Sequence, residues 1–397
     1  MPLQTQDDHS EFYSIHGILG IEVRGCHNPI GEVINREFQN FRDRSGKPDL
    51  TIFLGSAPSA DWVPRGFPVG DKLLCDSEID EVTVLLRSVS VNDNIRFLVR
   101  GDTKDSRNPV SIYMPTLRVK ARAWVRIVCM LLKNDFLSAE EAVADDILVS
   151  FVEPFLYYRL PSHGYSLVHA AAVSNGSGIL FYGSSNVGKT SMALHMAKEG
   201  CEFFGDDLVI VDEDGRLLSY PKRVKLEAQH LAVYPELVQR IGSKMSPGTQ
   251  WLFHRFVKRS SQTPFQMMFY HPAISEIFDE VRIGDHCDLR AVVYLRRTAQ
   301  EDLSLHETTL ESCLETLTMN LFWEFDAPAY RHNQYRHCLA YASNNDFLKQ
   351  EVDHHSKVTR LLTKAISKAR AFELQLPPKF EAQQIKRAID KLLCALS

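Results

Sequence analysis

The sequence predicts an α/β protein in two parts: a strand-rich α+β domain over residues 1–160 and an α/β domain over residues 161–397. Three observations predict it. Short segments with period-two alternation, such as Asn94-Ile95-Arg96-Phe97-Leu98-Val99, dominate the chain up to about residue 118. Strand-like and helix-like patterns then alternate through the second part. Between one such strand and one such helix lies Gly183-Ser184-Ser185-Asn186-Val187-Gly188-Lys189-Thr190, the spacing of a strand-loop-helix unit.

The elements follow in order. Residues 13–23 read as one or two strands interrupted by glycine, and 49–54, 81–86, 94–99 and 111–114 as further strands. A helix is expected over about 119–133. A second is expected from Ser138, with Glu141 completing a capping box, to about Leu160. Pro161-Ser162-His163-Gly164 is a turn and the expected domain boundary. Residues 167–173 form a strand, 174–178 a turn, and 178–182 a strand returning as its hairpin partner. After the glycine-rich loop, Met192, Ala193, Met196 and Ala197 recur at helical spacing. Residues 202–211 read as one strand with a polar interruption, 216–220 as its partner, and 289–295 as a strong strand. Helices are expected over 307–325 and 345–370, a last strand over 372–376 and a last helix over 379–396. No internal repeat or low-complexity segment is present.

Composition narrows the function classes. The chain has 397 residues, 44% hydrophobic and 24% charged, enough for a sizeable core. A net charge of -5 shows no global nucleic-acid footprint. The eight cysteines are scattered with no CxxC pair, signalling neither a zinc site nor a disulfide framework. The polar start, Met1 to Ser10, is unlike a signal peptide, and no apolar run reaches the ~18 residues of a membrane span. A cytoplasmic protein with neither nucleic-acid nor membrane partner is the expectation.

Residues 183–190 form a complete P-loop, and each part has a mechanical job. Glycines let the backbone wrap phosphate oxygens. Lys189 brings a point charge to the outer phosphates, and the Thr190 hydroxyl is placed to ligate Mg²⁺. Gly183, Ser184, Ser185, Asn186, Val187, Gly188, Lys189, Thr190 and Ser191 are the expected nucleotide-binding residues. The next strand carries Gly205-Asp206-Asp207, an acidic pair far closer to the loop than in most P-loop proteins. Neighbours on a strand point to opposite faces, so both carboxylates reach the phosphates only if the backbone bends, which Gly205 permits. Two carboxylates beside a Mg²⁺-nucleotide divide the labour: one anchors the metal, the other takes a proton from an acceptor hydroxyl. His169, in the apolar strand beside the loop strand, is a third candidate.

The order of these parts resembles the HPr kinase/phosphorylase family and its HPr kinase-like relatives, with a more distant likeness to phosphoenolpyruvate carboxykinases. The resemblance rests on Leu167-Val168-His169-Ala170-Ala171-Ala172-Val173, on residues 178–191, and on Gly200 through Gly205-Asp206-Asp207-Leu208-Val209. It implies an HPr kinase-like P-loop mononucleotide-binding domain over residues 161–397. It also implies ATP and Mg²⁺ as cofactors, and phosphoryl transfer to a hydroxyl, typically of serine. Lys189 and the loop amides would hold the phosphates, Thr190 and Asp207 the metal. His169 would lie close to the transferred group, and either aspartate could be the base. Tyr220-Pro221-Lys222-Arg223-Val224-Lys225-Leu226 is similar to the HPr kinase-like subgroup, not to the glycine-rich second signature of true HPr kinases. The expected acceptor is a serine or threonine of a protein or precursor peptide, or a small hydroxylated metabolite. Relatives are often oligomers, so a homo-oligomer is also expected, and the N-terminal domain is the expected place for acceptor recognition.

The alternative is a nucleotide-binding regulatory module that senses ATP without transferring phosphate. A carboxykinase-like lyase is disfavoured because the loop has no second lysine. Other features weigh less. Lys222 or Arg223 either clamp an anion or form a solvated basic edge, and Arg296-Arg297 either reach the nucleotide or lie on the surface. His332, His337, Cys338, His354 and His355 lack metal-ligand spacing. Trp124 reads as helix core. The aromatic-rich 251–272 segment reads as buried, with an acceptor pocket or dimer face as alternatives.

Overall fold

The structure, a computed structural model, describes residues 9–55, 67–69, 73–76, 81–87, 94–100, 109–114, 138–227, 230–231, 234–243, 247–260, 271–325, 347–378 and 382–397. It is a mixed α/β protein with two sheets and helices, the class the sequence predicts. The chain divides into two compact units. One holds the described residues up to 125, of 138–166 and of 322–361, the other those of 167–321 and 362–397.

In the first unit the strands are β1 (Ser10–Ile15), β2 (Leu19–Arg24), β3 (Arg42–Asp43), β4 (Leu50–Leu54), β5 (Phe67–Val69), β6 (Leu73–Asp76), β7 (Glu81–Arg87), β8 (Asn94–Arg100) and β9 (Val110–Met114). Their order in the sheet is β3-β1-β2-β4-β9-β8-β7-β6-β5. The apolar run 13–23 is two antiparallel strands, with His16 and Gly17 taking positive φ at the turn. β2 and β4 are parallel, so the chain needs a crossover between them, and α1 (Pro29–Glu37) supplies it. The Asn28 side chain caps α1 by accepting from the Ile30 and Gly31 N–H groups. The helix from Ser138 starts as predicted, capping box included, as α2 (Ala139–Ile147). It is not continuous to 160. A π-turn at Leu148–Val152 interrupts it before α3 (Glu153–Arg159), whose second residue, Pro154, has no backbone N–H to give. The helix expected over 119–133 lies outside the described residues, as does Trp124.

The second unit is built on β10 (Tyr165–Val168), β11 (Ala170–Ser174), β12 (Gly178–Tyr182), β13 (Glu202–Gly205), β14 (Val209–Asp212), β15 (Arg216–Leu218), β16 (His286–Arg297), β17 (Ser304–Glu307) and β18 (Arg370–Leu376). Their order is β10-β14-β15-β16-β12-β11-β13, with β18 also on β16 and β17 on β18. The long β16 is the spine. Its first residues pair antiparallel with β15, its middle parallel with β12, and its last seven parallel with β18. β11 and β12 form the expected hairpin, closed at Ser174 and Gly178.

Two expected strands are each split in two. Residues 167–173 break at His169, and 202–211 break at Asp206-Asp207-Leu208. In both cases the halves pair with different neighbours, which period-two alternation cannot reveal. Strand β18 begins at Arg370 because the helix expected through 370 ends earlier, as α9 (Phe347–Ile366). The other helices of this stretch of chain are α4 (Lys189–Lys198), α5 (Pro235–Ser243), α6 (Pro247–Ser260), α7 (Ile274–Ile277), α8 (310–325) and α10 (Ala382–Leu396).

The core below the glycine-rich loop joins sheet and helices. Ala171, Val173, Ile179 and Phe181 meet Met192, Ala193, Met196 and Ala197 of α4, as their spacing predicts, together with Ile385, Ala388, Ile389 and Leu392 of α10. This packing fixes the N-terminus of α4, and with it the loop.

Candidate functional site

β12 and β13 each run antiparallel to β11 and so parallel to each other; the chain must therefore leave the end of β12 and cross back through α4, placing residues 183–188 at the turn. Two local devices make this turn. Gly183 has φ +143, and a Cβ there would sit 2.5 Å from the Leu295 carbonyl oxygen, so only glycine fits. Val187 drops its side chain into the core. Gly188 caps α4, and Lys189 and Thr190 open it.

The loop, the residues after β13, and Lys225, Glu227 and His230 line one cleft of about 80 Å³. Its walls are His169, Ser185, Asn186, Gly188, Lys189, Thr190, Asp206, Asp207, Lys225, Glu227 and His230. Lys189 is buried, and its ammonium donates to the Gly183 and Ser184 carbonyls at 2.8 and 3.2 Å. The Thr190 hydroxyl donates to Asp206, 2.9 Å from Oδ1 and 3.1 Å from Oδ2. Of the expected binding residues, Gly183 and Ser184 thus hold Lys189 through their carbonyls, and Ser191 is buried in α4.

The acidic pair is adjacent in sequence and unlike in environment. Asp206 is buried, and its carboxyl is pushed up to about 6, by burial first and then by the neighbouring Asp207 charge. Asp207 keeps 46% of its side chain exposed. Burial of the group acts to raise its pKa. The charges around it, Lys222 foremost, outweigh that and hold the carboxyl below its ordinary value. Its Oδ1 lies 3.7 Å from His169 Nε2 and its Oδ2 3.9 Å from Lys222 Nζ.

The bend that presents both acids is not made as expected. Gly205 does not take a positive φ; Asp207 does, at +77. Gly205 is needed for space instead, since a Cβ there would lie 2.6 Å from the Leu208 carbonyl oxygen and 3.0 Å from that of Tyr220. The Asp207 carbonyl accepts from the Ala170 N–H at 3.2 Å, tying the break in one strand to the break in the other. His169, in the first of those breaks, is buried, and its carbonyl accepts from Asn320 of α8.

Glu227 and His230 escaped the sequence reading, because they fall in a stretch with mixed helix signals and no recognisable motif. The Glu227 N–H donates to His230 Nδ1 at 2.9 Å. Burial holds the His230 imidazole down to about 4, so it stays neutral. Beside this cluster Arg223 is buried and Lys225 exposed, and Val224 N–H donates to the Pro272 carbonyl. His271 is held down to about 3 by burial, then by Arg223, Lys225 and Lys222.

Other candidates are placed elsewhere. Arg296 faces Glu373 at 3.7 Å, and Arg297 donates to the Pro377 and Pro378 carbonyls. His354 packs edge-on against Tyr157, and His355 stacks on Phe322. His332, His337 and Cys338 lie outside the described residues. In α6 Phe253 is buried, but Trp251 is 59% exposed under the Arg255 guanidinium, against the expectation of a buried segment. Residues 261–270 lie outside the described residues. Cys26, Cys201, Cys287, Cys313 and Cys394 are free thiols. No described helix is long and apolar enough to cross a membrane.

The fold and cleft thus define a mixed α/β protein with a glycine-rich loop facing an adjacent acidic pair. No family model matches the chain, and no curated protein matches it. Among solved structures it is similar to the HPr(Ser) kinase/phosphatase from Coxiella burnetii, at 7% identity and a TM-score of 0.24, over 58% of this chain and 98% of that one.

Proposed function

We propose that this protein is an ATP- and Mg²⁺-dependent kinase of the HPr kinase-like type, transferring the γ-phosphoryl group to a hydroxyl acceptor. The observation that carries the reading is the convergence of Lys189, Thr190, Asp206 and Asp207 on one cleft, with Thr190 already hydrogen-bonded to Asp206. In this reading the loop amides and Lys189 hold the nucleotide phosphates.

The donor set suits Mg²⁺: a hydroxyl and two carboxylate oxygens on neighbouring side chains, all hard oxygen ligands. Bound there, the metal would neutralise charge on the transferring phosphate. Thr190 and Asp206 are the residues placed to hold it. The sequence expectation set Asp207 beside Thr190 as the metal contact, and geometry favours Asp206 for that place.

Asp207 is then the proton acceptor. Its carboxylate is ionised, half open to the cleft and near His169. The acceptor oxygen attacks Pγ, its proton passes to an Asp207 oxygen, and the bond from Pγ to the bridging oxygen breaks with ADP as leaving group. Catalysis is largely positioning and charge stabilisation.

The test uses γ-labelled ATP and Mg²⁺ with dialysed host lysate and separate metabolite pools, comparing wild type with Lys189→Ala. Lysine-dependent label in protein identifies a protein or peptide kinase. Label in small molecules identifies a metabolite kinase. Nucleotide binding with no label in either fraction would point to a regulatory module and overturn the kinase reading.

A further inference from the structure

We propose that Glu227 is a positioning residue for the nucleotide loop, gripping the Asn186 side chain and so pinning the loop's apex in a left-handed backbone conformation. The inference rests on reading 183–190 as the phosphate loop. Asn186 has φ +61, a region that costs most non-glycine residues roughly 1–2 kcal/mol and that asparagine enters more readily than the rest, so a hold on its side chain selects this conformation among those open to it. With its nitrogen toward Glu227, the Asn186 amide donates to both carboxylate oxygens, at 2.7 and 3.1 Å. The opposite orientation would set the amide oxygen against an anion, so the donating one is enforced.

Glu227 is itself held on three sides. Its N–H donates to His230 Nδ1, and its carbonyl accepts from the His230 and Leu231 N–H groups. Leu226 and Leu231, flanking it, are in the core. The grip on Asn186 is therefore anchored in packed structure. The Asn186 amide gives this cleft-lining carboxylate a polar partner on the loop itself.

The assignment predicts that the acceptor oxygen matters and the charge does not. Glu227→Gln retains a carbonyl for Asn186, whereas Glu227→Ala removes the grip. Two readouts apply: hydrogen exchange in peptides spanning 183–189 of the nucleotide-free protein, and affinity for a fluorescent ATP analogue. Glu227→Ala should speed exchange and weaken affinity by about tenfold each, and Glu227→Gln should stay within about twofold of wild type. In an Asn186→Gly background, where φ > 0 needs no anchor, Glu227→Ala should add no further loss. If Glu227→Ala does not fold, Asn186→Ala takes its place and should reproduce the loss.

Equal damage from Gln and Ala, or a Glu227→Ala loss that persists beside Asn186→Gly, would overturn the assignment in favour of a direct charge role. Unchanged exchange in Glu227→Ala would overturn it too. Should the wild-type protein bind no nucleotide, the kinase reading falls, and exchange alone decides the positioning role.

Discussion

At the scale of single residues, Asp206 is a buried carboxyl that the proposed mechanism makes a metal ligand. Its carboxyl is pushed to about 6, so near neutrality it is ionised at a cost. Because the folded value lies above the ordinary 3.8, the stability linked to its protonated form is full below pH ~4 and is lost as pH rises through about 6. Metal-free Asp206→Asn should therefore match wild type below pH ~4 in urea melts and exceed it by up to about 3 kcal/mol above pH ~7. A pH dependence identical in the two proteins would contradict the shift. Mg²⁺ affinity of the nucleotide complex should fall on acidification through the same range more steeply in wild type than in Asp206→Asn. Asp207→Asn should instead lower kcat at least ~10²-fold with little change in Mg²⁺ requirement, while the opposite split would exchange the two roles. Much of this site was legible from residue types alone. Lys189, Thr190, Asp206, Asp207 and His169, singled out by type and spacing, meet in one cleft. Glu227 and His230 were not legible, since their place depends on a turn and on burial that no local pattern announces.

At the scale of elements, the decisive features are the two split strands. Alternation predicts that a segment is extended; it says nothing about which neighbour it pairs with, so residues 202–211 read as one strand. The structure changes partner at Asp206-Asp207-Leu208, and the change is what turns both acids to the cleft. Gly205 makes it possible through lack of volume, not through φ. Gly205→Ala should therefore destabilise by about 1–3 kcal/mol and depress transfer out of proportion to its effect on nucleotide affinity. Stability curves and steady-state kinetics on the same preparation would check this. A silent substitution would show that the break has slack. Capping signals read well: Ser138 with Glu141 starts α2 where expected. The interior π-turn did not, although Pro154, with no N–H to continue the helical ladder, lies just beyond it.

For the molecule as a whole, the cleft lies entirely within the second unit. Mg²⁺-ATP at 100 times its Kd should stabilise the fold it binds by about 2.7 kcal/mol. Calorimetry should show that gain in the transition contributed by the second unit, with Lys189→Ala removing it. A ligand shift that survives Lys189→Ala would place the nucleotide elsewhere. Burial beneath the loop matters to the same unit. Phe181→Ala should cost about 3–5 kcal/mol and lower the loop's affinity with it, read from denaturation and nucleotide titration together. The mixed α/β class was visible in composition and periodicity, whereas the threefold sharing of β16 was not, since pairing along one strand leaves no mark in its own sequence.

The bond from Ala170 N–H to the Asp207 carbonyl joins the two strand breaks, and it bears on what kinds of change the gene can tolerate. Substitutions near His169 alter one side chain at a time. Removal of a single codon between Val168 and Ala172 would turn each following side chain of the strand to the other face and pull the acid pair out of line in the same event. Length changes there should be lost under selection far faster than replacements, and a library scored for both would show the difference.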